Sequence, residues 1–226
     1  MKSKTYRILD LFCGAGGCAV GYHRAFTAAG YDVEITGVDI APQKHYPFRF
    51  IQGDAMTFPL DGYDFIHASP PCQGYSVTKV LHPTKEHPLL LEPTRLRLMT
   101  QSTPWIIENV SGAPMGQFVE LCGTHFGLKV YRHRQFESSH MLFSPCRCTH
   151  PNYLLPGFVS ICGHRVKGRA TNRYHNQYPV YPSSYGKEAM GIDWKMNRDE
   201  LDQAIPPAYT EWLGRQILTA LESEAA

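Results

Sequence analysis

The chain has no apolar run long enough to cross a membrane, no internal repeat, no low-complexity tract and almost no net charge. The first absence excludes a helical membrane span, since a bilayer needs about 20 consecutive apolar residues. The second and third exclude solenoids and disordered tails. The near-balance of 22 basic against 20 acidic side chains, a formal charge of +2, excludes a polycation. Any nucleic-acid binding must then come from a local basic cluster. Seven cysteines are an odd number, and no leader-like segment opens the sequence, so a disulfide-stapled secreted domain is not expected. The expectation is a cytoplasmic protein with free thiols and no membrane contact. At 226 residues the chain can hold one α/β domain with little left over.

What the chain does contain is a cysteine in an unusual setting. The apolar run Asp64-Phe65-Ile66-His67-Ala68 leads into Ser69-Pro70-Pro71-Cys72-Gln73-Gly74-Tyr75-Ser76. A short apolar run ending at a proline pair reads as a buried strand entering a rigid loop. Open α/β sheets place their ligands at such strand ends. Cys72 is therefore a candidate nucleophile, and taken alone it is equally a small buried hydrophobe. Upstream, the strand candidate Tyr6–Leu9 is followed by Asp10-Leu11-Phe12-Cys13-Gly14-Ala15-Gly16-Gly17. Apolar residues then recur at Cys18, Tyr22, Ala25, Phe26 and Ala29, one face of a helix that Gly30 stops. Strand, glycine loop, helix is an arrangement that holds nucleotides, because glycine lets backbone approach a ligand and the helix N-terminus favours negative charge. The next strand candidate, Glu34–Val38, ends in Asp39, placed to accept hydrogen bonds from ribose hydroxyls. The third, Phe48–Ile51, ends in Gly53-Asp54-Ala55. Successive strands ending in a glycine or an acid make the cysteine's position look functional.

Two further runs complete an ordered set. Glu108-Asn109-Val110 follows the strand-like Trp105-Ile106-Ile107, and Arg132-His133-Arg134 comes later. Together with the glycine loop and Ser69-Pro70-Pro71-Cys72-Gln73, they resemble, in order, the motifs of the DNA (cytosine-5) methyltransferases. The likeness is nearest to the compact members in bacteriophage genomes, which implies the cytoplasm of a bacterial or phage-infected cell. The resemblance implies a Rossmann-like α/β sheet with helices on both faces and a small irregular target-recognition segment. It implies S-adenosyl-L-methionine as cofactor, held by Phe12, Cys13, Gly14, Ala15, Gly16, Gly17, Asp39, Ile40, Asp54, Ala55 and Pro71. It implies DNA as partner, with the chain acting as a monomer and no obligate protein partner. The nearest rival is a tRNA cytosine-5 methyltransferase. The rival from another class is a catalytically inactive nucleic-acid-binding module, against which an intact Cys72 with Glu108 argues.

The residue types suit that chemistry. C5 of cytosine is a poor nucleophile, and a thiolate adding to C6 makes the ring an enamine able to attack a methyl sulfonium. Cys72 is the expected nucleophile, and Glu108 the group at N3 and the exocyclic amine. Arg134 is expected at O2, with Arg132 supporting the loop or Glu108. A stacked base cannot reach such a site, so the target must flip out or be single-stranded. Residues 73–92 are expected to form a closing loop. Gln73, Ser76, Lys79, His82 and Asn109 are the expected substrate contacts there and beside it, the loop residues equally readable as plain solvent-facing positions.

Spacing divides the chain into residues 1–136 for cofactor and catalysis, 137–185 for a reduced recognition segment, and 186–226 for C-terminal helices. The recognition segment carries Arg165, Lys167, Arg169 and Arg173, a basic string suited to phosphate. It also carries Cys146, Cys148, His150, Cys162 and His164, residue types that suit zinc. Two cysteines only two apart depart from a standard finger, so free thiols are preferred and no metal site is assigned. Asn197-Arg198-Asp199-Glu200 reads as a capped helix start. A last helix should bury Tyr209, Trp212, Leu213, Ile217, Ala220 and Leu221 against the sheet. Gln203-Ala204-Ile205-Pro206-Pro207 resembles the family's last motif, lacking its usual Gly-Asn-Ser.

Overall fold

The strands that position the site are short, apolar and mostly parallel. In the computed structural model, residues 4–75, 88–162, 165–168 and 179–224 are described. One seven-stranded sheet is built from β1 (Thr5–Leu11), β2 (Asp32–Asp39), β3 (Arg49–Gln52), β4 (Phe65–Ala68), β5 (Trp105–Val110), β6 (Phe118–Leu121) and β7 (Arg134–Ser138). Their spatial order is β3-β2-β1-β4-β5-β7-β6. The first five run parallel, and β7 runs antiparallel between β5 and β6. The chain winds outward from β1 to β3, then returns to place β4 on the other side of β1. The carboxyl ends of β1 and β4 therefore flank the point where the winding reverses, which is where such sheets open a crevice.

Both faces of the sheet are covered, as parallel strands require. On β1, Tyr6 and Ile8 join one apolar cluster, while Leu9 and Leu11 join another. The first is closed by α1 (Gly17–Ala28) and α5 (Pro207–Glu224), the second by α2 (Leu91–Met99). Helix α5 buries Tyr209, Leu213, Ile217 and Leu221 as its periodicity predicts, with Trp212 partly buried. It lies along α1 as well as over the sheet.

The segment expected to be irregular contains a second sheet. Strands β8 (Ser160–Cys162), β9 (Arg165–Lys167) and β10 (Val180–Tyr181) pair antiparallel in the order β10-β9-β8. They share a third apolar cluster with α3 (Ser183–Ala189) and α4 (Arg198–Gln203), including Val159, Ile161, Val166, Met190 and Leu201. Asn197 caps α4, its side chain accepting from the Glu200 N–H at 2.9 Å while Glu200 accepts from the Asn197 N–H at 2.6 Å. Strand β7 spans the expected boundary at 136, and α3 spans the one at 185. Among the described residues no helix is long and apolar enough to cross a membrane.

Candidate active site

The loop after β1 is shaped by backbone in the left-handed region, at Phe12 (φ 56°) and at Gly14 (φ 49°). Its glycines serve different ends. A Cβ on Gly14 would meet nothing within 4 Å, so this position faces open space. A Cβ on Gly16 would lie 2.6 Å from Pro47, and one on Gly17 only 2.3 Å from the Ile205 carbonyl. Those two are required for packing, and Gly17 seats the segment that resembles the family's last motif. Trp194 donates its indole N–H to the Ala15 carbonyl at 3.0 Å, and Cys13 N–H donates to Val38 at 3.1 Å.

Asp39 ends β2 beside this loop. Its two carboxylate oxygens accept from Gly14 N–H at 3.1 Å and Ala41 N–H at 3.0 Å. Ile40, next along, is 75% exposed, an apolar side chain left open at the strand end. Gly53 N–H donates to the Asp39 carbonyl at 3.0 Å, which brings Asp54 alongside, its own carboxylate accepting from Met56 N–H at 2.8 Å. Ala55 packs into the core, with its carbonyl taken by Arg97 at 2.8 Å. Asp10, buried at the end of β1, accepts from the Tyr46 hydroxyl through Oδ2 at 3.1 Å. Its Oδ1 finds no hydrogen-bond partner in the described residues. Burial pushes its carboxyl well above the usual range, and the nearby Asp39 adds to this. An orphaned buried carboxylate oxygen, an open glycine and an exposed apolar side chain fit a ligand carrying an ammonium, a sugar and a flat base.

The loop after β4 carries Cys72, half-buried, with Pro71 half-buried before it and Gln73 exposed after it. Burial is the first cause that pushes the Cys72 thiol up, and the Glu108 carboxylate the second, while Arg134 and Arg132 pull it down. Glu108 lies inside β5, not after it, and is buried. Arg134 at the start of β7 reaches its carboxylate through Nε at 3.1 Å. Burial raises the Glu108 carboxyl, opposed by Arg134, by a hydrogen bond from Ser69 and by Arg132.

Behind Glu108 runs a buried relay that the motifs did not reveal. Tyr22 hydroxyl meets His67 Nδ1 at 2.9 Å, and His67 Nε2 meets Ser69 Oγ at 2.9 Å. His67 is buried, which lowers its pKa to about 3, so the ring is neutral. A neutral imidazole has one donor and one acceptor. With Ser69 donating to Glu108, its oxygen accepts from His67 Nε2–H, and Nδ1 accepts from Tyr22. The one signal in the sequence is a histidine inside the otherwise apolar β4.

Asn109 and Arg132 each hold backbone beside the site. Asn109 is 0% exposed, and its amide donates to the Pro70 carbonyl at 3.0 Å. From β5 that bond fixes the loop that carries Cys72. Arg132 is buried, which lowers its pKa to about 9, still cationic at neutral pH. Its guanidinium donates to the Ile161 carbonyl at 3.1 Å and the Asp202 carbonyl at 2.6 Å. It clamps the small sheet and α4 to the start of β7. Lys167 is half-buried in β9. Arg165 is placed in β9 by its backbone alone. Ser76, Lys79, His82, Arg169, Arg173 and His164 lie outside the described residues.

Of the cysteines and histidines singled out in the recognition segment, Cys146, Cys148 and His150 have described side chains. Cys146 is exposed. Cys148 and His150 instead meet Cys122, which follows β6, and His133, which precedes β7.

Residues 6–114 match the family model described as C-5 cytosine-specific DNA methylase. Among solved structures, the chain is similar in fold to the Entamoeba histolytica methyltransferase EhMeth, with a TM-score of 0.63 at 12% identity, over 99% of this chain and 100% of that one. An RNA methyltransferase from Salinibacter ruber in complex with S-adenosyl-L-homocysteine aligns with a TM-score of 0.35 at 17% identity, over 66% of this chain and 86% of that one. No curated protein matches the chain.

Proposed function

Taking residues 6–114 as a C-5 cytosine-specific DNA methylase segment, we propose that the chain transfers a methyl group from S-adenosyl-L-methionine to C5 of cytosine in DNA. The observation that carries this reading is a convergence. The glycine loop after β1 and the Cys72 loop after β4 meet where the winding of the sheet reverses, and Cys72 lies within the electrostatic reach of Glu108 and Arg134.

The cofactor supplies an electrophilic methyl group. Gly14 would let it approach the backbone, Asp39 and Asp54 would accept from its hydroxyls and amino groups, Asp10 would supply a carboxylate toward its ammonium, and Ile40 would cover its base. The remaining steps belong to this chain's own groups. Cys72 would give up its thiol proton to solvent and its sulfur would bond to C6 of the cytosine as the C5–C6 double bond opens, with Glu108 sharing a proton with N3 so that the charge pushed onto the ring is met where it forms. Arg134 holds Glu108 through Nε and keeps positive charge beside the developing anion. C5 would then take the methyl that the cofactor supplies, its C–H bond would break with the proton passing to solvent, and that electron pair would re-form the C5–C6 double bond and expel the Cys72 sulfur. Asn109 and the proline pair keep the sulfur in place throughout. The cytosine must leave its stack to reach Cys72.

A DNA duplex carrying 5-fluorocytosine tests this. Fluorine at C5 cannot leave as a proton, so incubation with S-adenosyl-L-methionine should give a covalent protein–DNA complex that survives denaturing electrophoresis. Cys72→Ser should form none. A complex that persists in Cys72→Ser would overturn the assignment of Cys72. Trapping of a fluorinated RNA in place of the duplex would overturn DNA as substrate.

A further inference from the structure

We propose that Cys122, His133, Cys148 and His150 form a closed tetrahedral zinc site that ties the recognition segment to the catalytic sheet. One ligand atom from each lies within 4.8 Å of all the others. Cys122 Sγ is 3.3 Å from His150 Nε2, and Cys148 Sγ is 3.5 Å from His133 Nε2. Zinc takes sulfur at about 2.3 Å and imidazole nitrogen at about 2.0 Å in a tetrahedron, which puts two such ligands about 3.5 Å apart. The spacing is therefore already that of atoms sharing one ion.

The surroundings supply what a ligand set needs behind it. His150 Nδ1 donates to the Pro151 carbonyl at 2.8 Å, which turns Nε2 toward the cluster. The Thr124 hydroxyl is 3.4 Å from Cys122 Sγ and 3.7 Å from Cys148 Sγ, a donor placed for thiolates. Tyr131 stacks on the His150 ring with centroids 3.7 Å apart. Two sulfurs and two nitrogens in this geometry select zinc over the hard cations. Four protein ligands leave no open position, so the site is structural.

Its place in the fold gives its purpose. Cys122 follows β6 at the entrance to a 3-10 turn, and His133 stands between Arg132 and Arg134. Cys148 and His150 come from the long connection between β7 and β8. The ion would fasten that connection to the strand start that delivers Arg134 to Glu108. Each cysteine gives up its thiol proton on binding.

Metal analysis of the full chain, purified without chelator, should find about one zinc per chain. Cys122→Ser and Cys148→Ser should each lose it, and Cys146→Ser should keep it. His150→Ala should lose zinc and His150→Cys should retain it, which separates ligation from a failure to fold. Cobalt in place of zinc should give the intense visible bands of a tetrahedral site with a thiolate charge-transfer band. A folded, metal-free wild type that does not take up cobalt, or zinc content unchanged in the Cys122→Ser, Cys148→Ser double variant, would overturn the site.

Discussion

Cys72 is set among opposed charges, and its reactivity follows from their balance. Burial and the Glu108 carboxylate disfavour the thiolate, while Arg134 and Arg132 favour it. The net shift is upward, so the free protein holds a thiol at neutral pH. Alkylation of Cys72, followed by mass spectrometry across pH, should therefore show a midpoint above the ordinary thiol value. Glu108→Gln should move that midpoint down, because the repelling carboxylate is gone. Arg134→Gln should move it up. Glu108→Gln should also cut methylation by about 10²–10⁴-fold, as loss of a positioned proton donor does. A midpoint indifferent to Glu108→Gln would separate the two groups. Cys72, Glu108 and Arg134 were legible because each sits in a short run of distinctive composition. The Tyr22–His67–Ser69 relay was not, because its members come from α1, β4 and the loop beyond. Their hydrogen bonds exist only once the helix is laid over the sheet. Cys122 and His133 stayed hidden as metal candidates for the same reason.

At the scale of elements, α1 must be held against the sheet for its N-terminus to support the glycine loop, and α5 holds it there. The two helices approach through small residues. A Cβ on Gly21 would fall 2.0 Å from Thr210 Oγ1 and 2.2 Å from the Pro207 carbonyl. Thr210 is itself committed, donating to the Cys18 carbonyl at 2.9 Å. A backbone oxygen cannot swing aside as a side-chain tip can, so the helices must separate. Gly21→Ala should destabilise the fold by about 1–3 kcal/mol, the usual cost of overpacking, despite alanine's better helix propensity. Urea unfolding should show a lower midpoint at unchanged slope. An unchanged midpoint would mean that the α1–α5 contact yields freely. These two helices and β1, β2 and β4 were readable because each runs long enough, or apolar enough, to display its period. Strands β8, β9 and β10 were not, since two or three residues show no alternation. Their pairing is stabilised by the apolar cluster they share with α3 and α4, which no local pattern announces.

At the scale of the whole molecule, a net charge of +2 cannot hold DNA by bulk attraction. Binding must be concentrated on one face, and the architecture suggests which. Arg132 joins the small sheet to the start of β7, and Ala15 of the glycine loop lies in the same apolar cluster as Val166. The small sheet is thus anchored next to the crevice that would receive the flipped cytosine of the proposed reaction. Lys167 closes β9, paired with Ser160 on one side and Val180 on the other, so its position is fixed by backbone on both flanks. A lysine is a point charge and reads phosphate, not base edges. Its removal should weaken binding to all sequences alike. Lys167→Ala should lower the slope of log affinity against log salt by about one unit, the loss of one neutralised phosphate. Titration of a labelled duplex at several salt concentrations measures this. The ratio of affinities for methylated and unmethylated sequences should be unchanged, because no base contact is lost. If the slope stays as it was, the small sheet faces away from the duplex, and the phosphate contacts must come from the loop after Cys72.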